Sequence, residues 1–305
     1  RGLGDVYKRQ VCNPEPLADF FDLFILGEGE EVNLELMDLY NQHKKNGSTR
    51  QEFLKDAAQI KGIYVPSLYN VQYNDDNTIK SVTPIGNAPA VIKKRIIKDF
   101  DKVYYPESFV VPFSDIVHNR ASVEVLRGCI RGCRFCQAGF LYRPFREKST
   151  ESIYNQAKAL CENTGYDELS LASLSTSDHS DIQNMLSKLI DYTEGEHINL
   201  SLPSLRIDNF SEELLEKVKR VRKSGLTFAP EAGTQRLRDV INKNVSEEEI
   251  MNTCRIAFEG GYSNVKLYFM MGLPTERDED IVGIAELAQR IICLLYTSDA
   301  ADEGL

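Results

Sequence analysis

The 305-residue chain lacks several features that would assign it to a class. It contains no run of about 18 apolar residues, so the sequence predicts no membrane span, and no segment has the pattern of a secretory signal peptide. It contains no tryptophan, an absence that excludes nothing. Positive charge is in deficit, because 36 Lys and Arg face 46 Asp and Glu. The net charge of −10 argues against broad nonspecific binding of nucleic acid.

The sequence also lacks the two separated cysteine pairs that commonly hold a structural zinc ion. Four of the seven cysteines stand alone in the sequence and are predicted to be buried small hydrophobic residues: Cys12, Cys161, Cys254 and Cys293. An odd cysteine count in a long chain argues against a disulfide framework, which is typical of small secreted proteins. Structural zinc sites usually take four protein ligands, commonly from two separated pairs. The sequence therefore predicts reduced cysteines in a cytoplasmic protein.

The other three cysteines lie together in the segment RGCIRGCRFCQAGF, residues 127–140. Cys129, Cys133 and Cys136 have the spacing CxxxCxxC. Thiolate ligands suit iron–sulfur clusters and zinc. Three ligands from one short loop leave a fourth metal position open, which points to a 4Fe–4S cluster whose remaining iron binds another group.

This motif, with the aromatic Phe135 just before the last cysteine, resembles the signature of radical S-adenosylmethionine (SAM) enzymes. In that family the amino and carboxylate groups of SAM chelate the open iron, and electron transfer cleaves SAM to methionine and a 5′-deoxyadenosyl radical. The resemblance implies a 4Fe–4S cluster and SAM as cofactors. It also implies an electron donor of the flavodoxin or ferredoxin type as a partner.

From residue 121 onward, apolar strand patterns alternate with amphipathic helix patterns. Five βα units in succession predict parallel strands with right-handed crossovers. Periodicity leaves a barrel and an open doubly wound sheet both possible, and the resemblance implies a partial (β/α)6 barrel that stops after about five units. Strands are predicted at 122–128, 168–175, 197–207, 225–232 and 264–274. Helices are predicted at 150–164, 181–193, 211–224, 246–260 and 278–292, with a short one ending near 237.

The region before the barrel is predicted to hold other structure. Residues 11–48 contain NPEPLADFFD and GEGEE, which resemble the end of an α/β Rossmann-like cobalamin-binding-type domain, so cobalamin is a candidate cofactor of the full-length protein. Residues 49–120 are predicted as a linker and small β-containing segment, with a helix at 49–58 and a surface strand pair at 90–100. The barrel then occupies 121–292. Residues 1–10 and 293–305 look like translated sequencing-adapter sequence, and we expect the chain to be an internal fragment.

Candidate SAM contacts follow from the rule that parallel-barrel sites lie at the C-terminal ends of the strands. By resemblance, the residues after the second strand would bind the SAM amino group, Glu231 the ribose and Lys243 the carboxylate, while backbone near Phe135 and apolar Met270 and Leu273 would contact adenine. A cap role for Ser175 and an exposed lysine at 243 are the structural alternatives. Asp178 is predicted to be a helix N-cap, and no catalytic residue is assigned. The full set of candidate cofactor contacts is Phe135, Ser173, Ser175, Ser204, Arg206, Glu231, Lys243 and Gly272.

The resulting hypothesis is a radical SAM enzyme that abstracts hydrogen from an unknown substrate or methylates it with the help of cobalamin. RNA and protein both remain candidate substrates, and a membrane is not expected. One alternative is a methylthiotransferase acting on tRNA or a ribosomal protein, which would need a second cluster with its own cysteines. The other is a non-catalytic scaffold in which a bound metal only stabilises the fold.

Overall fold

The computed structural model describes residues 13–114, 116–202, 206–207 and 226–302, with backbone alone for 295–302. The chain divides into two compact units, Arg1–Tyr104 and Tyr105–Leu305. The predicted finer boundaries, at 48 and at 120, remain predictions.

The first unit contains two helices beside a small antiparallel strand pair. Strand β1 (Phe24–Ile25) pairs with β2 (Ile63–Tyr64), and the helices are α1 (Gly29–Asn46) and α2 (Arg50–Ala57). Thr49 caps α2 in a capping box with Glu52, which explains why a helix predicted from residue 49 begins there. The core of this unit is formed by Val32, Leu54, Ala58, Ile63 and Val65.

Strand β3 (Tyr69–Tyr73) and strand β4 (Ile79–Pro84) form the antiparallel hairpin that the turn at 74–77 predicts. The strand pair predicted at 90–100 is wrong. In that segment Arg95 makes an isolated bridge to Gly27, and its guanidinium binds both Glu31 and Glu35 of α1. The alternation of basic and apolar residues therefore reflects ion pairing to a helix instead of pairing between strands.

The second unit is built on parallel strands, as predicted. One sheet has the order β5 (Ala121–Glu124), β8 (Glu168–Ala172), β9 (Asn199–Ser201), and all its neighbours are parallel. A second parallel pair joins β10 (Leu226–Glu231) to β11 (Val265–Phe269). Between these sheets, 203–205 and 208–225 lie outside the described residues, including the helix predicted at 211–224. A short antiparallel pair joins β6 (Leu126–Arg127) to β7 (Arg146–Glu147).

Helices follow the parallel strands and confirm the α/β fold class. They are α3 (Ala138–Leu141), α4 (Thr150–Thr164), α5 (Ile182–Gly195), α6 (Gln235–Val240), α7 (Glu247–Glu259) and α8 (Asp278–Asp302). Helix α4 has the predicted bounds because Ser149 accepts a hydrogen bond from the Ser152 N–H at its start and Gly165 ends it in the left-handed region. Helix α8 continues past the predicted end at 292.

The interior of the second unit lies between these strands and helices. Its fully buried members include Val123, Leu169, Leu171, Leu186 and Ile250. Strand β8 is the central strand of its sheet, and its side chains at 169–171 are buried on both faces, as in parallel sheets that helices cover. Among the described helices, none combines the length and the apolar character needed to cross a membrane.

A close backbone contact joins α8 to the loop after β10. A Cβ added to Gly233 would overlap the backbone of Gly283 and Ile284. We therefore expect Gly233→Ala to lower the free energy of unfolding by about 1–3 kcal/mol through overpacking, measured by denaturant titration. Gly195→Ala is the control, since a Cβ there meets no atom within 4 Å. An equal stability for the two variants would contradict the contact.

Candidate functional site

The cysteine segment is a loop that is closed at its base. Strands β6 and β7 pair across it, with Leu126 opposite Glu147 and Arg127 opposite Arg146. Gly128 then turns with φ of +87°, and a Cβ at this position would lie 2.7 Å from the Tyr142 carbonyl oxygen. A side chain at position 128 would therefore force the two arms of the loop apart. The loop begins just beyond the C-terminal end of β5, where a parallel α/β fold places its active site.

The three thiols of the loop interact electrostatically. Cys133 is buried, with 7% of its surface exposed, while Cys129 and Cys136 are half-buried. Burial raises the pKa of the Cys133 thiol, the charges of Lys243 and Arg206 act to lower it, and Cys136 and Cys129 act to raise it. Three sulfurs and two cations therefore share one small region.

This arrangement fits a 4Fe–4S cluster. Iron–sulfur clusters are held by cysteine thiolates, and hydrogen bonds to the sulfurs tune their potential. The Arg131 N–H donates such a bond to the Cys129 Sγ at 3.4 Å. Within the described residues, no three His, Cys, Asp or Glu side chains converge on one ion position. A cubane cluster does not need that convergence, because each thiolate binds a different iron.

The turn after α6 holds the cysteine loop from one side. The Arg134 N–H donates to the Ile241 carbonyl at 2.8 Å, and the Arg134 guanidinium donates to the Val240 carbonyl. The Asn242 side-chain amide donates to the Gly132 carbonyl at 2.8 Å. Asn242 has a φ of +53°, a conformation that asparagine tolerates better than most residues. Both intervals between successive cysteines are therefore tied to residues 240–242.

Glu231 and Lys243 form an ion pair beside the loop. The Lys243 Nζ lies 3.1 Å from the Glu231 Oε1, with 11% and 15% of the two side chains exposed. The same Nζ lies 5.9 Å from the centroid of the Phe135 ring. Glu231 follows a register shift in the β10–β11 ladder and has a φ of +69°. Such bulges re-aim a side chain at the end of a strand, and here the carboxylate is directed to Lys243.

Comparison with known proteins places this geometry in a family. Residues 123–288, more than half of the chain, match the radical SAM superfamily, and residues 8–66 match the N-terminal region of radical SAM proteins. The chain belongs to the radical SAM superfamily. The family implies a 4Fe–4S cluster and SAM, which agrees with the cofactors predicted from the cysteine motif.

The similar proteins differ in the function that their names state. An uncharacterized protein of Methanocaldococcus jannaschii is 32% identical over 90% of this chain and 53% of its own length. A putative methylthiotransferase of the same organism is 26% identical over 52% of the chain and 36% of its own length. TsrM from Kitasatospora setae, a radical SAM methyltransferase solved with cobalamin and a [4Fe-4S] cluster, matches with a TM-score of 0.60 and 13% identity. That match covers 93% of this chain and 52% of TsrM, so the chain spans about half the length of TsrM and of the uncharacterized M. jannaschii protein.

Arg206 reaches the radical SAM site from the segment after β9. Its N–H donates to the Ser177 Oγ at 3.2 Å, and its guanidinium approaches the Lys243 carbonyl at 3.5 Å. The candidate contact Ser204 lies outside the described residues. The structure therefore brings together Cys133, Phe135, Arg206, Glu231 and Lys243.

The segment after β8 is tightly folded. The Ser173 and Thr176 hydroxyls lie 2.8 Å apart, and Ser175 is 2% exposed. Asp178 ends a 3₁₀ helix (Thr176–Asp178), so the predicted N-cap role at Asp178 is wrong, since α5 begins after Asp181. Asp178 instead binds Arg131 of the cysteine loop, at 2.5 and 3.2 Å.

The Asp178 carboxyl is held in its charged form. Burial acts to raise its pKa, but the hydrogen bonds from Arg131 and the charges of Arg131 and Arg206 outweigh burial, and the pKa lies below its ordinary value. The neighbouring His179 is also buried, and its Nδ1 accepts from the Asp181 N–H while its Nε2 donates to the Lys148 carbonyl. His179 therefore links the segment after β8 to the backbone of Lys148.

The loop after β11 does not present Leu273 in the way that the predicted adenine contact requires. Gly272 has a φ of +81° and open space at its Cα, and its N–H donates to Glu276 at 2.8 Å. Leu273 is buried against Ala232, Leu237 and Ile241, and Met270 packs on the same cluster. Leu273 is thus part of the interior and does not present a face for adenine.

Sequence reasoning missed Arg238. Its side chain is completely buried and donates to the carbonyls of Ala232, Gly233 and Val245. Burial lowers the pKa of this guanidinium. An arginine on a short helix carries no local signal for such a role, because its acceptors are backbone atoms of neighbouring loops.

Proposed function

We propose that Cys129, Cys133 and Cys136 hold a 4Fe–4S cluster whose open iron takes SAM, and that the protein cleaves SAM reductively. A cluster held by these thiolates and reduced by a donor of the flavodoxin or ferredoxin type would supply one electron for the cleavage of SAM to methionine and a 5′-deoxyadenosyl radical. The observation that carries this proposal is that the cysteine loop lies against the Glu231–Lys243 pair: the Lys243 Nζ lies 5.9 Å from the Phe135 ring, and the neighbouring Asn242 donates to the Gly132 carbonyl at 2.8 Å.

The residues around Cys133 suit the parts of SAM. Lys243 and Arg206 supply positive charge for a carboxylate, and the Glu231 carboxylate can accept hydrogen bonds from the two ribose hydroxyls. Hydroxyls and carbonyls at Ser173 and Ser175 would accept from the amino group, and backbone near Phe135 would contact adenine. A Cβ at Gly272 would meet no atom within 4 Å, so the loop after β11 leaves space that a ligand could occupy.

The reaction that we propose is methylation of an unknown substrate with the help of cobalamin. TsrM, a methyltransferase with bound cobalamin, shares the fold over 93% of this chain. RNA and protein are the candidate substrate classes. An oxygen-sensitive cluster requires a reducing compartment and an electron donor of the flavodoxin or ferredoxin type, which fits a cytoplasmic protein.

A methylthiotransferase is the second candidate, supported by the similarity of the putative methylthiotransferase of M. jannaschii over 52% of the chain. Such an enzyme would need a second cluster with separate cysteines. Iron and sulfide analysis of the complete protein separates the two candidates, because methylation needs one radical SAM cluster and methylthiolation needs a further one.

Anaerobic reconstitution tests the proposal. Protein treated with iron and sulfide should show the absorption and electron paramagnetic resonance spectra of a 4Fe–4S cluster. With dithionite and SAM it should release 5′-deoxyadenosine, detected by mass spectrometry. Purified protein that contains zinc, binds no SAM and releases no 5′-deoxyadenosine would instead support a metal-stapled scaffold.

A further inference from the structure

The segment between the first two cysteines is anchored by an ion pair between Arg131 and Asp178. The Arg131 Nη2 lies 2.5 Å from the Asp178 Oδ1, and the Arg131 Nε lies 3.2 Å from the Oδ2. The two parallel bonds form the bidentate geometry that gives arginine–carboxylate pairs their strength and orientation. The pair joins the cysteine loop to the segment after β8.

Burial makes this pair costly to break. The Asp178 side chain is 1% exposed and that of Arg131 is 21% exposed. Removal of one partner from a buried pair leaves the other charge without compensation, and this is strongly destabilising. The side chain of Arg131 is therefore held at a fixed position against the segment that follows β8.

The position of Arg131 also affects a hydrogen bond to Cys129, one of the proposed cluster ligands. The backbone N–H of the same residue, Arg131, donates to the Cys129 Sγ at 3.4 Å. A change in the side-chain anchor moves the backbone, and with it the hydrogen bond to the sulfur. The next residue, Gly132, is held by Asn242 through its carbonyl, so the two anchors act on adjacent peptide units.

We propose that Arg131 and Asp178 are positioning residues that keep the cysteine loop in the geometry that retains the cluster. The inference rests on the proposed function, since it assumes that the three cysteines hold a 4Fe–4S cluster. Partners that orient metal ligands typically change metal affinity or activity about 10–100-fold when they are mutated.

The test measures how fast a chelator removes iron from reconstituted, folded protein. We expect Asp178→Asn and Arg131→Gln each to lose iron roughly tenfold faster than the wild type, or more. Because the two side chains act as a unit, the double variant should lose iron no faster than the single variants. Arg131→Lys keeps the positive charge without the bidentate geometry, and we expect it to lose iron faster as well.

Glu168→Gln provides the matched control. Glu168 pairs with Arg120 at 2.6 Å at the start of β8, and Asp178 follows the end of the same strand. This variant loses an arginine–carboxylate pair in the same sheet but far along the strands from the cysteines. Its melting temperature should fall while its rate of iron loss and its resonance spectrum stay those of the wild type.

Two outcomes are distinguishable. If wild-type protein takes up no cluster under anaerobic conditions, the proposed function fails. If wild-type protein takes up the cluster, and Asp178→Asn and Arg131→Lys retain it at the wild-type rate with an unchanged resonance spectrum, the positioning role is overturned and the proposed function stands.

Discussion

Cys133→Ala should abolish the release of 5′-deoxyadenosine. Cys133 is the most buried of the three cysteines in the loop, and the charges of Lys243 and Arg206 act on its thiol. Without its thiolate, the two remaining cysteines cannot hold a cluster that needs three protein ligands. The measurement is product release by mass spectrometry after anaerobic reconstitution, together with bound iron per chain.

Cys161→Ala is the matched control for this variant. Cys161 is also buried, and burial raises the pKa of its thiol to about 11, so it packs as a small apolar residue. We expect this variant to bind iron and cleave SAM like the wild type. Full turnover by Cys133→Ala would rule out the proposed mechanism, whatever the activity of Cys161→Ala.

Substitution of Glu231 should separate cofactor binding from stability. Both Glu231→Ala and Glu231→Gly remove the carboxylate, so both should weaken SAM binding by about 1.5–3 kcal/mol, or roughly 10–100-fold, the range for a hydrogen bond to a charged group. The two variants differ in backbone strain at position 231. Residue 231 has a φ of +69°, which strains any residue that has a Cβ. Glycine relieves that strain, so Glu231→Gly should be more stable than Glu231→Ala by about 1 kcal/mol.

Calorimetric titration of reconstituted protein with SAM gives the binding change, and denaturant titration of the apoprotein gives the stability difference. Because Lys243 loses its partner in both variants, its contribution cancels in the comparison. Unchanged SAM affinity in both variants would show that Glu231 does not contact SAM. Equal stability of the two variants would show that the left-handed conformation costs nothing here.

Local signals predicted much of the fold. The Ser149 cap and Gly165 determine the bounds of α4, and the Thr49–Glu52 capping box determines the start of α2. In both cases the residues that set the boundary lie within a few positions of it. The cysteine motif is local as well, since its three ligands lie within one short loop, and this is why the cofactor could be predicted before the fold.

Contacts between distant positions were not predictable. Arg131 and Asp178 are 47 positions apart, and Asn242 and Gly132 are 110 apart. The sequence shows that an arginine and an aspartate are present, but not that the folded strands place one against the other. The predictions for Asp178 as a helix cap and Leu273 as an adenine contact failed for this reason, because both side chains are taken up by partners elsewhere in the fold.

The strand pair predicted at 90–100 failed differently. Alternating apolar and basic residues are typical of a strand with one solvent-facing side. Arg95, however, is largely buried and binds two glutamates of α1. An alternating pattern indicates which side chains lie on the same side of an extended segment. It does not indicate whether the element that packs against that side is a strand or a helix.

Arg238 has a consequence for the conditions under which the protein works. The loop between Glu231 and α6 is locked by a cation that donates to three carbonyl groups. A histidine in that place would release the loop in alkaline medium and a lysine could lose its proton in so dry a setting, whereas a guanidinium remains protonated at any acidity a cell reaches. We therefore expect the loop between Glu231 and α6 to keep its shape when the pH rises as well as when it falls, because the cation that holds it keeps its charge throughout.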